Sequence, residues 1–284
     1  MKKTGIALFA AFLIAVVAQS GIHAQATVRP AGRPGADIAQ VGEALQRMEL
    51  ALLRNLPTTL SCTVEIALTR PDPKGAWIEA AQLRPLQLLW KNPASACISF
   101  ADGLPPAPPA AAQDDPSTTA TRGPYFDLRM GTLMTQMRKA SRVNRLNGLG
   151  LSPLQTFVMM LRADARAKFL GRTLIEGHPV VGMDFPNVIS AIPMGMTAKR
   201  AKLWINESDG LPVRIRLFTQ REGVLTFDIV YAARKDAGGV EYLLPELVTL
   251  QPAEEEDLPS AAYPMRIRFA DYKLNVEIAD AKFE

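Results

Sequence analysis

Histidine and cysteine, the side chains that most often bind metals or start covalent catalysis, are scarce in this sequence of 284 residues, which contains 2 of each. We predict below that residues 1–26 are removed, which would leave His178 as the remaining histidine. One histidine cannot build a metal cluster, and a Ser-His-Asp triad would depend on it alone. The sequence also has no glycine-rich phosphate-binding loop. It therefore favours a protein that is not an enzyme and that carries no metal or other cofactor.

The acidic residues leave one catalytic alternative open. A fold could bring Asp127, Asp184 and Asp228 together, although no spacing in the sequence favours such a carboxylate pair. His178 lies in a turn-like Glu-Gly-His-Pro segment, where a structural role is expected. An enzyme therefore remains a third interpretation.

The two cysteines, Cys62 and Cys97, leave a disulfide undecided. An even count favours a bond if the chain is exported, as its N-terminus predicts below. However, Cys62 shares an apolar strand face with Val64, whereas Cys97 alternates with Ile98 and so lies on the opposite face of its own strand. The alternative is two separate thiols.

The apolar run at the N-terminus is too short to span a membrane. Two lysines precede the run from Gly5 to Ala18, which falls short of the about 20 residues that a span needs. Ala24-Gln25-Ala26 then supplies the small residues that a signal peptidase requires. We therefore predict a cleaved export signal at residues 1–26, with an uncleaved anchor as the alternative, and a periplasmic location for residues 27–284. Removing the two lysines would lower the net charge from +4 to +2.

Alternation of apolar and polar residues dominates the last third of the chain. A period of two that continues over several strands predicts an antiparallel sheet with one dry face and one wet face. The phase shifts once, at Ala270-Asp271, after which Tyr272, Leu274, Val276 and Ile278 are predicted to continue the last strand. The remaining residues of the predicted dry face are Val213, Ile215, Leu217, Leu225, Phe227, Ile229, Tyr231, Met265, Ile267 and Phe269.

Two segments with helical spacing are predicted to cover the dry face. The first, Ala36 to Leu56, carries apolar residues three or four positions apart. The second is a helical interruption between strands, with one part near residues 130–137 and another from Ser152 to about Ala165. Eight of the eleven methionines lie between Met130 and Met196, and flexible thioethers suit a surface that accepts varied apolar partners, although core filling is the alternative. We predict a movable lid that contains Met130, Leu133, Met134, Met137, Phe157, Met160 and Leu161.

Two further segments differ in composition from the rest of the chain. Residues 101–123 include LPPAPPAAAQDDPSTTATR, which is too rich in proline, alanine and small polar residues to form a core, so we predict a loop within one domain. From Arg129 to Arg172, nine lysines or arginines oppose one acid, Asp164. This excess indicates either an anionic neighbour or a solvated face. In an exported protein the anion would be a membrane surface rather than a nucleic acid.

The order of these elements resembles the LolA-like superfamily of periplasmic outer-membrane lipoprotein-sorting proteins, which includes LolB-type receptors and the lipid-sensing domain of RseB-type regulators. The resemblance extends over most of residues 36–283 and consists of spacing patterns rather than catalytic signatures. The segments that carry it are ALQRMELALLRNLPTTLSCTVEIAL, RPLQLLWKNPASACISF, GRTLIEGHPVVGMDF, AKLWINESDGLPVRIRLF and FADYKLNVEIADAKF.

This resemblance implies a mainly β fold: a single curled antiparallel sheet that forms an incomplete β-barrel, covered by an N-terminal helix and a helical lid. It also implies that acyl chains are received between the sheet and the helices. The expected function is a non-enzymatic periplasmic carrier or sensor for acyl chains of lipoproteins or lipids, with donor and acceptor proteins in the membranes as possible partners. The alternative is a regulatory or structural module of the cell envelope that binds a protein, and the third interpretation is an enzyme that acts on envelope lipids. The loop at 101–123 is extra relative to a minimal carrier.

Overall fold

The alternating segments form antiparallel strands in the computed structural model, which describes residues 36–71, 77–82, 85–91, 95–100, 161–162, 164–186, 190–192, 196–219, 223–253, 264–279 and 282. A helix, α1 (Ala36–Arg54), precedes the strands. The strands are β1 (Thr59–Pro71), β2 (Trp77–Gln82), β3 (Leu86–Lys91), β4 (Ser95–Phe100), β5 (Lys168–Ile175), β6 (His178–Phe185), β7 (Ser190–Ile192), β8 (Met196–Asn206), β9 (Pro212–Thr219), β10 (Val224–Lys235), β11 (Glu241–Ala253) and β12 (Met265–Leu274).

These strands belong to one antiparallel sheet in the order β4-β3-β1-β12-β11-β10-β9-β8-β6-β5, with β2 also paired to β1 and β7 to β8. The first and last described strands, β1 and β12, are therefore neighbours inside the sheet. Among the described strands, no pairing joins β4 to β5. The predicted fold class, a mainly β protein built on a curled and incomplete barrel, is therefore confirmed.

The register of the pairs places large apolar side chains on one face across nearly the whole sheet. Residues that are paired directly across neighbouring strands point to the same face of the sheet, so a row of such residues runs from strand to strand on one face. One such row is Phe169, Met183, Leu203, Ile215, Phe227, Leu250, Met265 and Leu68. The dry face that the alternation predicts is thus present, and we call it the concave face.

Helix α1 lies on the concave face. The buried side of the helix consists of residues spaced mostly by three or four positions, which belong to the same hydrophobic cluster as the sheet. They are Val41, Ala44, Leu45, Met48, Ala51 and Leu52. The predicted N-terminal helix is confirmed, although it ends at Arg54, before Leu56. In the described part of the chain, no helix has both the length and the apolar composition that a membrane crossing requires.

The opposite face of the sheet carries charged pairs between neighbouring strands. Asp184 is bound by Arg200 through two hydrogen bonds of 2.8 and 2.6 Å, and Arg214 pairs with Asp228 on the next strand. On this face Gly182 lies opposite Trp204, whose indole covers the position where a side chain would stand. A glycine in a strand interior commonly marks such a close approach.

The phase shift predicted at Ala270-Asp271 is confirmed as a bulge with Asp271 at φ 53°. Two other details of the predicted dry face are wrong, and the first is the continuation of the last strand to Ile278. The strand ends at Leu274, because Asn275 adopts a left-handed conformation (φ 54°), and Ile278 packs against Leu89 away from the main core.

Val213 is the second exception. It falls in a register shift between β8 and β9 and is only half-buried, so it does not join the core.

Candidate functional site

The concave face under α1 contains the part of the predicted site that the structure describes. Five predicted binding residues from the sheet and one from the lid are buried in one cluster: Ile215, Phe227, Ile229, Ile267, Phe269 and Leu161. The other predicted lid residues lie outside the described residues: Met130, Leu133, Met134, Met137, Phe157 and Met160. Whether any of them binds a ligand stays a prediction.

Asn55 fastens the end of α1 to the sheet. Its side-chain Nδ2 donates to the carbonyl of Ala51 at 2.8 Å, which closes the last turn of the helix. Its Oδ1 accepts a 2.6 Å hydrogen bond from the backbone N–H of Leu243 on β11. One amide side chain therefore holds both a helix carbonyl and a strand amide.

The β8–β9 hairpin makes a second contact with α1. Its turn, between Asn206 and Pro212, reaches the helix at Gly210. Gly210 has φ +77°, and a Cβ placed there would stand 3.1 Å from the Cβ of Ala51. Only glycine suits both the backbone angle and the close approach.

Residues 161–162 make the third contact. Leu161 is buried in the common cluster, and the guanidinium of Arg162 lies 2.6 Å from a carboxylate oxygen of Glu49 on α1. These two residues are helical, whereas Asp164 is not, so in the described part the predicted second helix stops before Ala165.

The basic segment is partly neutralised. Arg162 pairs with Glu49, and Arg172 pairs with Glu207 at 2.5 Å. Both arginines are well exposed, and an exposed pair of this kind stabilises a fold by about 0.2–1 kcal/mol. Part of the positive charge read from the sequence is therefore directed at the protein itself rather than at a partner.

Beneath the end of α1 lies a void of about 10 Å³, with walls that are mainly apolar. This volume suits about one water molecule. The lining residues are Leu52, Asn55, Leu60, Cys62, Leu88, Leu211, Tyr231, Leu243, Leu244, Pro245 and Tyr272.

Three of the lining side chains are ionisable and held neutral. Burial, with a smaller effect from Asp271, raises the pKa of the Cys62 thiol to about 12. Burial is also the main cause that raises the pKa of Tyr231 and of Tyr272. The two hydroxyls donate to the carbonyls of Pro212 and Pro245, respectively. Cys62 is a free thiol, so the disulfide that the sequence left undecided is not formed.

The sequence did not single out Asn55 or the two tyrosine hydroxyls as parts of this site. Their partners are backbone groups on strands that are distant in the chain. A local pattern does not contain such partners. The one available signal was an asparagine directly after a helical run, which is typical of a helix end.

Of the residues considered for catalysis, Asp127 lies outside the described residues, and His178, Asp184 and Asp228 are spread over the outer side of the sheet. His178 is the exposed first residue of β6, directly after the Glu176-Gly177 turn, so it lies in the strand rather than in the predicted turn. It borders a cleft of about 440 Å³ that Asp209, Asp228 and Thr249 also line. Asp184 and Asp228 each have an arginine partner. Within the described residues, no group of three or more His, Cys, Asp or Glu side chains could hold a metal ion.

Comparison with known proteins gives likenesses in structure but none in sequence. No family model and no curated protein matches the chain. A DUF1329 family protein from Desulfovibrio piger is 12% identical, with 88% of this chain and 98% of that chain covered and a TM-score of 0.47. A putative outer membrane lipoprotein-sorting protein domain from Vibrio parahaemolyticus is 8% identical, with 86% and 97% covered and a TM-score of 0.48. A LolA superfamily protein from Nitrosomonas europaea is 13% identical, with 88% and 98% covered and a TM-score of 0.42.

Two of these three structures carry names from the superfamily that the sequence resembles. Identities this low concern the fold alone, and TM-scores below 0.5 give these likenesses no weight for function. The function proposed next therefore rests on the geometry of this chain.

Proposed function

We propose that this protein is a non-enzymatic, periplasmic carrier or sensor that holds an acyl chain of a lipid or lipoprotein between α1 and the concave face. The observation that supports the proposal most is the cover of that face. A continuous apolar surface of a wide sheet lies under one amphipathic helix, which is fastened at its end by Asn55. Such a cover can be displaced by a ligand that offers the sheet an equivalent apolar surface.

The energies of the two states are comparable. Burial of one large apolar side chain stabilises by about 1.5–3 kcal/mol, so Val41, Leu45, Met48 and Leu52 together contribute roughly 6–12 kcal/mol to the closed state. An acyl chain with about 14 methylenes would contribute about 11 kcal/mol at about 0.8 kcal/mol for each. The ligand can therefore offset most of what the helix loses when it moves, and small differences decide which state is populated.

The closed void fits the same proposal. The void has room for about one water molecule, so under this proposal α1 moves away from the sheet to admit an acyl chain. A carrier that closes without ligand avoids exposing its apolar face to water, which would otherwise favour association with other molecules. Export through the predicted signal at residues 1–26 would place the protein where acylated lipids and lipoproteins are found. N-terminal sequencing of the exported protein that finds Met1 intact would remove this part of the proposal.

Native mass spectrometry of the protein purified without detergent tests the proposal directly. We expect a co-purifying lipid mass, or saturable uptake of a fluorescent fatty acid by the delipidated protein. The control is Gly42→Ala on the exposed side of α1, which should leave uptake unchanged. A wild-type protein that carries no lipid mass and takes up no acyl probe would contradict the proposal.

A second candidate is a module that binds a protein at the free edge of the sheet. It is favoured by β5, which ends the described strand order and exposes Leu170 (47%) and Leu174 (68%). An edge strand offers unpaired backbone groups that can accept a strand from another chain. In that case Leu170→Asp and Leu174→Asp should abolish capture of the partner from an envelope extract while acyl uptake remains unchanged.

A further inference from the structure

Trp90 carries a polar atom for which the described structure provides no partner. Its side chain is fully buried (0% exposed), and no described residue accepts a hydrogen bond from its Nε1–H. Native proteins pair the large majority of their buried polar atoms, because a buried donor without an acceptor loses its hydrogen bond to water and gains none. An unpaired indole N–H in a core therefore calls for an explanation.

Trp90 does not itself line the void beneath α1, but two of its neighbours on the concave face do. It is paired with Leu60 on β1, and Leu88 precedes it by two residues on the same face of β3. Both leucines are buried and line the void beneath α1. Its immediate neighbours on the concave face are thus apolar side chains, which cannot accept a hydrogen bond.

The chemistry of the missing acceptor is restricted. An indole N–H can only donate, so its partner must carry a lone pair. A hydrocarbon tail has none, and a phosphate or a free carboxylate would have to lose its hydration to reach a site this apolar. An uncharged carbonyl oxygen satisfies both conditions, and it is the group that joins an acyl chain to glycerol as an ester or to an amine as an amide.

On the basis of the proposed acyl-binding function, we propose that Trp90 Nε1–H donates a hydrogen bond to the ester or amide carbonyl of the bound acyl chain. The site would then select chains that are attached through a carbonyl over plain hydrocarbon. It would also fix how deeply the chain enters, because the carbonyl must reach β3. Trp90 is a specificity residue in this scheme, while the rest of the concave face supplies affinity.

A pair of matched variants tests this. Trp90→Phe removes the donor and keeps an aromatic side chain, and Trp204→Phe makes the same change on the outer face of the sheet. The probes are methyl palmitate and an alkane of equal length, presented to the delipidated protein. We expect Trp90→Phe to weaken binding of the ester by about 10-fold, as expected for the loss of one buried hydrogen bond, and to leave alkane binding unchanged. Trp204→Phe should change neither.

A second measurement needs no folded variant at position 90. In the wild-type protein labelled with ¹⁵N, the indole N–H resonance of Trp90 should move downfield when methyl palmitate is added and stay in place with the alkane. The protein has three tryptophans, so Trp77→Phe and Trp204→Phe assign the signals. A diacylglycerol and an N-acylated lipopeptide then distinguish the two sources of the carbonyl, because the first offers only esters.

The possible failures differ. Equal loss of ester and alkane binding in Trp90→Phe, or an indole resonance that ignores the ester, would show that Trp90 only fills the core and would overturn this inference while the proposed function stands. Absence of binding of any acyl probe by the wild type would overturn the proposed function itself.

Discussion

Asn55 at the end of α1 and Leu243 on β11 are joined by a 2.6 Å hydrogen bond, in which the backbone N–H of Leu243 donates to the side-chain oxygen. The two residues lie 188 positions apart in the chain. The same side chain donates to Ala51, so it closes the helix and attaches it to the sheet at once. The contact lies at the border of the void, where a cover would have to lift.

Replacing Asn55 with Ala should loosen this attachment. The half-buried N–H of Leu243 and the carbonyl of Ala51 would lose their partner, so we expect a loss of about 1–3 kcal/mol in the free energy of unfolding. The alkylation rate of Cys62, measured in a Cys97→Ser background, should rise because the thiol lies beneath the helix end. Asn55→Asp is the control, since it retains the acceptor for Leu243 but not the donor for Ala51. An unchanged alkylation rate in Asn55→Ala would show that this contact does not hold the cover.

Even a methyl group at Gly182 should destabilise the protein. A Cβ there would stand 3.0 Å from Trp204 Nε1 and 3.2 Å from the Cβ of Leu170, so Gly182→Ala should destabilise the protein by about 1–3 kcal/mol. Gly42 provides the control, because it lies on the exposed side of α1 with nothing within 4 Å. Gly42→Ala should stabilise by about 0.5–1 kcal/mol through helix propensity. Urea unfolding measures both, and equal effects of the two changes would contradict the packing described for Trp204.

The fold should lose stability in alkaline solution through its buried ionisable groups. In the unfolded chain the Cys62 thiol loses its proton above its ordinary pKa of 9.0, whereas burial keeps the folded-state pKa at about 12. Folding therefore retains a proton that unfolding releases, and stability should fall between pH 9 and 12 by up to about 1.4 kcal/mol per pH unit. Below pH 9 this group should have no effect. Tyr231 and Tyr272, whose pKa values are also raised, should add to the loss above pH 10.

Urea unfolding at pH 8 and pH 10.5 checks the alkaline effect. Between these two values the wild type should lose about 2 kcal/mol more than a Cys62→Ala variant, which has no thiol to titrate at this position. Tyr272→Phe should reduce the alkaline loss in the same direction. If the free energy of unfolding of Cys62→Ala falls as much as that of the wild type between these pH values, groups other than Cys62 cause the alkaline loss.

The sequence predicted those parts of the structure that depend on local patterns. The period of two placed Ile215, Phe227 and Ile267 on one buried face, since such alternation requires only neighbouring residues. The spacing of apolar residues likewise predicted α1. The end of the strand after Leu274 was not predicted. Hydrogen bonds with Thr58, Asp236 and Tyr242, which are all remote in the chain, hold Asn275 in its left-handed conformation.

The candidate site was predicted as a set of apolar residues but not as a mechanism. The alternation identified which side chains lie on the concave face, yet the attachment by Asn55 and the unpaired donor of Trp90 arise from tertiary packing. Val213 is a similar case within a strand. The alternation predicted that it would be buried, but a register shift between β8 and β9 keeps it out of the core.

The basic segment should bring the protein to anionic membranes. Each lysine or arginine near such a surface contributes about 1 kcal/mol, and salt weakens the attraction because the Debye length falls from about 10 Å at 0.1 M to about 3 Å at 1 M. In flotation with vesicles that contain anionic phospholipid, the wild type should bind at low salt and dissociate at high salt. A variant with Arg138, Lys139, Arg142 and Arg145 changed to Gln should not bind. Changing Arg162 and Arg172, which already pair with Glu49 and Glu207, should have little effect. Equal flotation of all three proteins would show that the basic segment is only a solvated face and does not bind the membrane.

The predicted lid should tolerate a charge that the sheet cannot. Phe157 lies outside the described residues, and its place in a movable lid is a prediction from the sequence. Phe157→Asp should abolish acyl uptake while the far-UV spectrum and the unfolding midpoint remain close to those of the wild type, since a charged side chain on a movable segment can turn towards water. Phe227→Asp should instead unfold the protein, because that side chain is fully buried in the sheet and an isolated carboxylate there would be neither solvated nor paired. Circular dichroism and urea titration of the two variants separate the cases. If Phe157→Asp unfolds the protein as Phe227→Asp does, Phe157 is part of a fixed core, and the opening that admits an acyl chain must then be made by α1 alone.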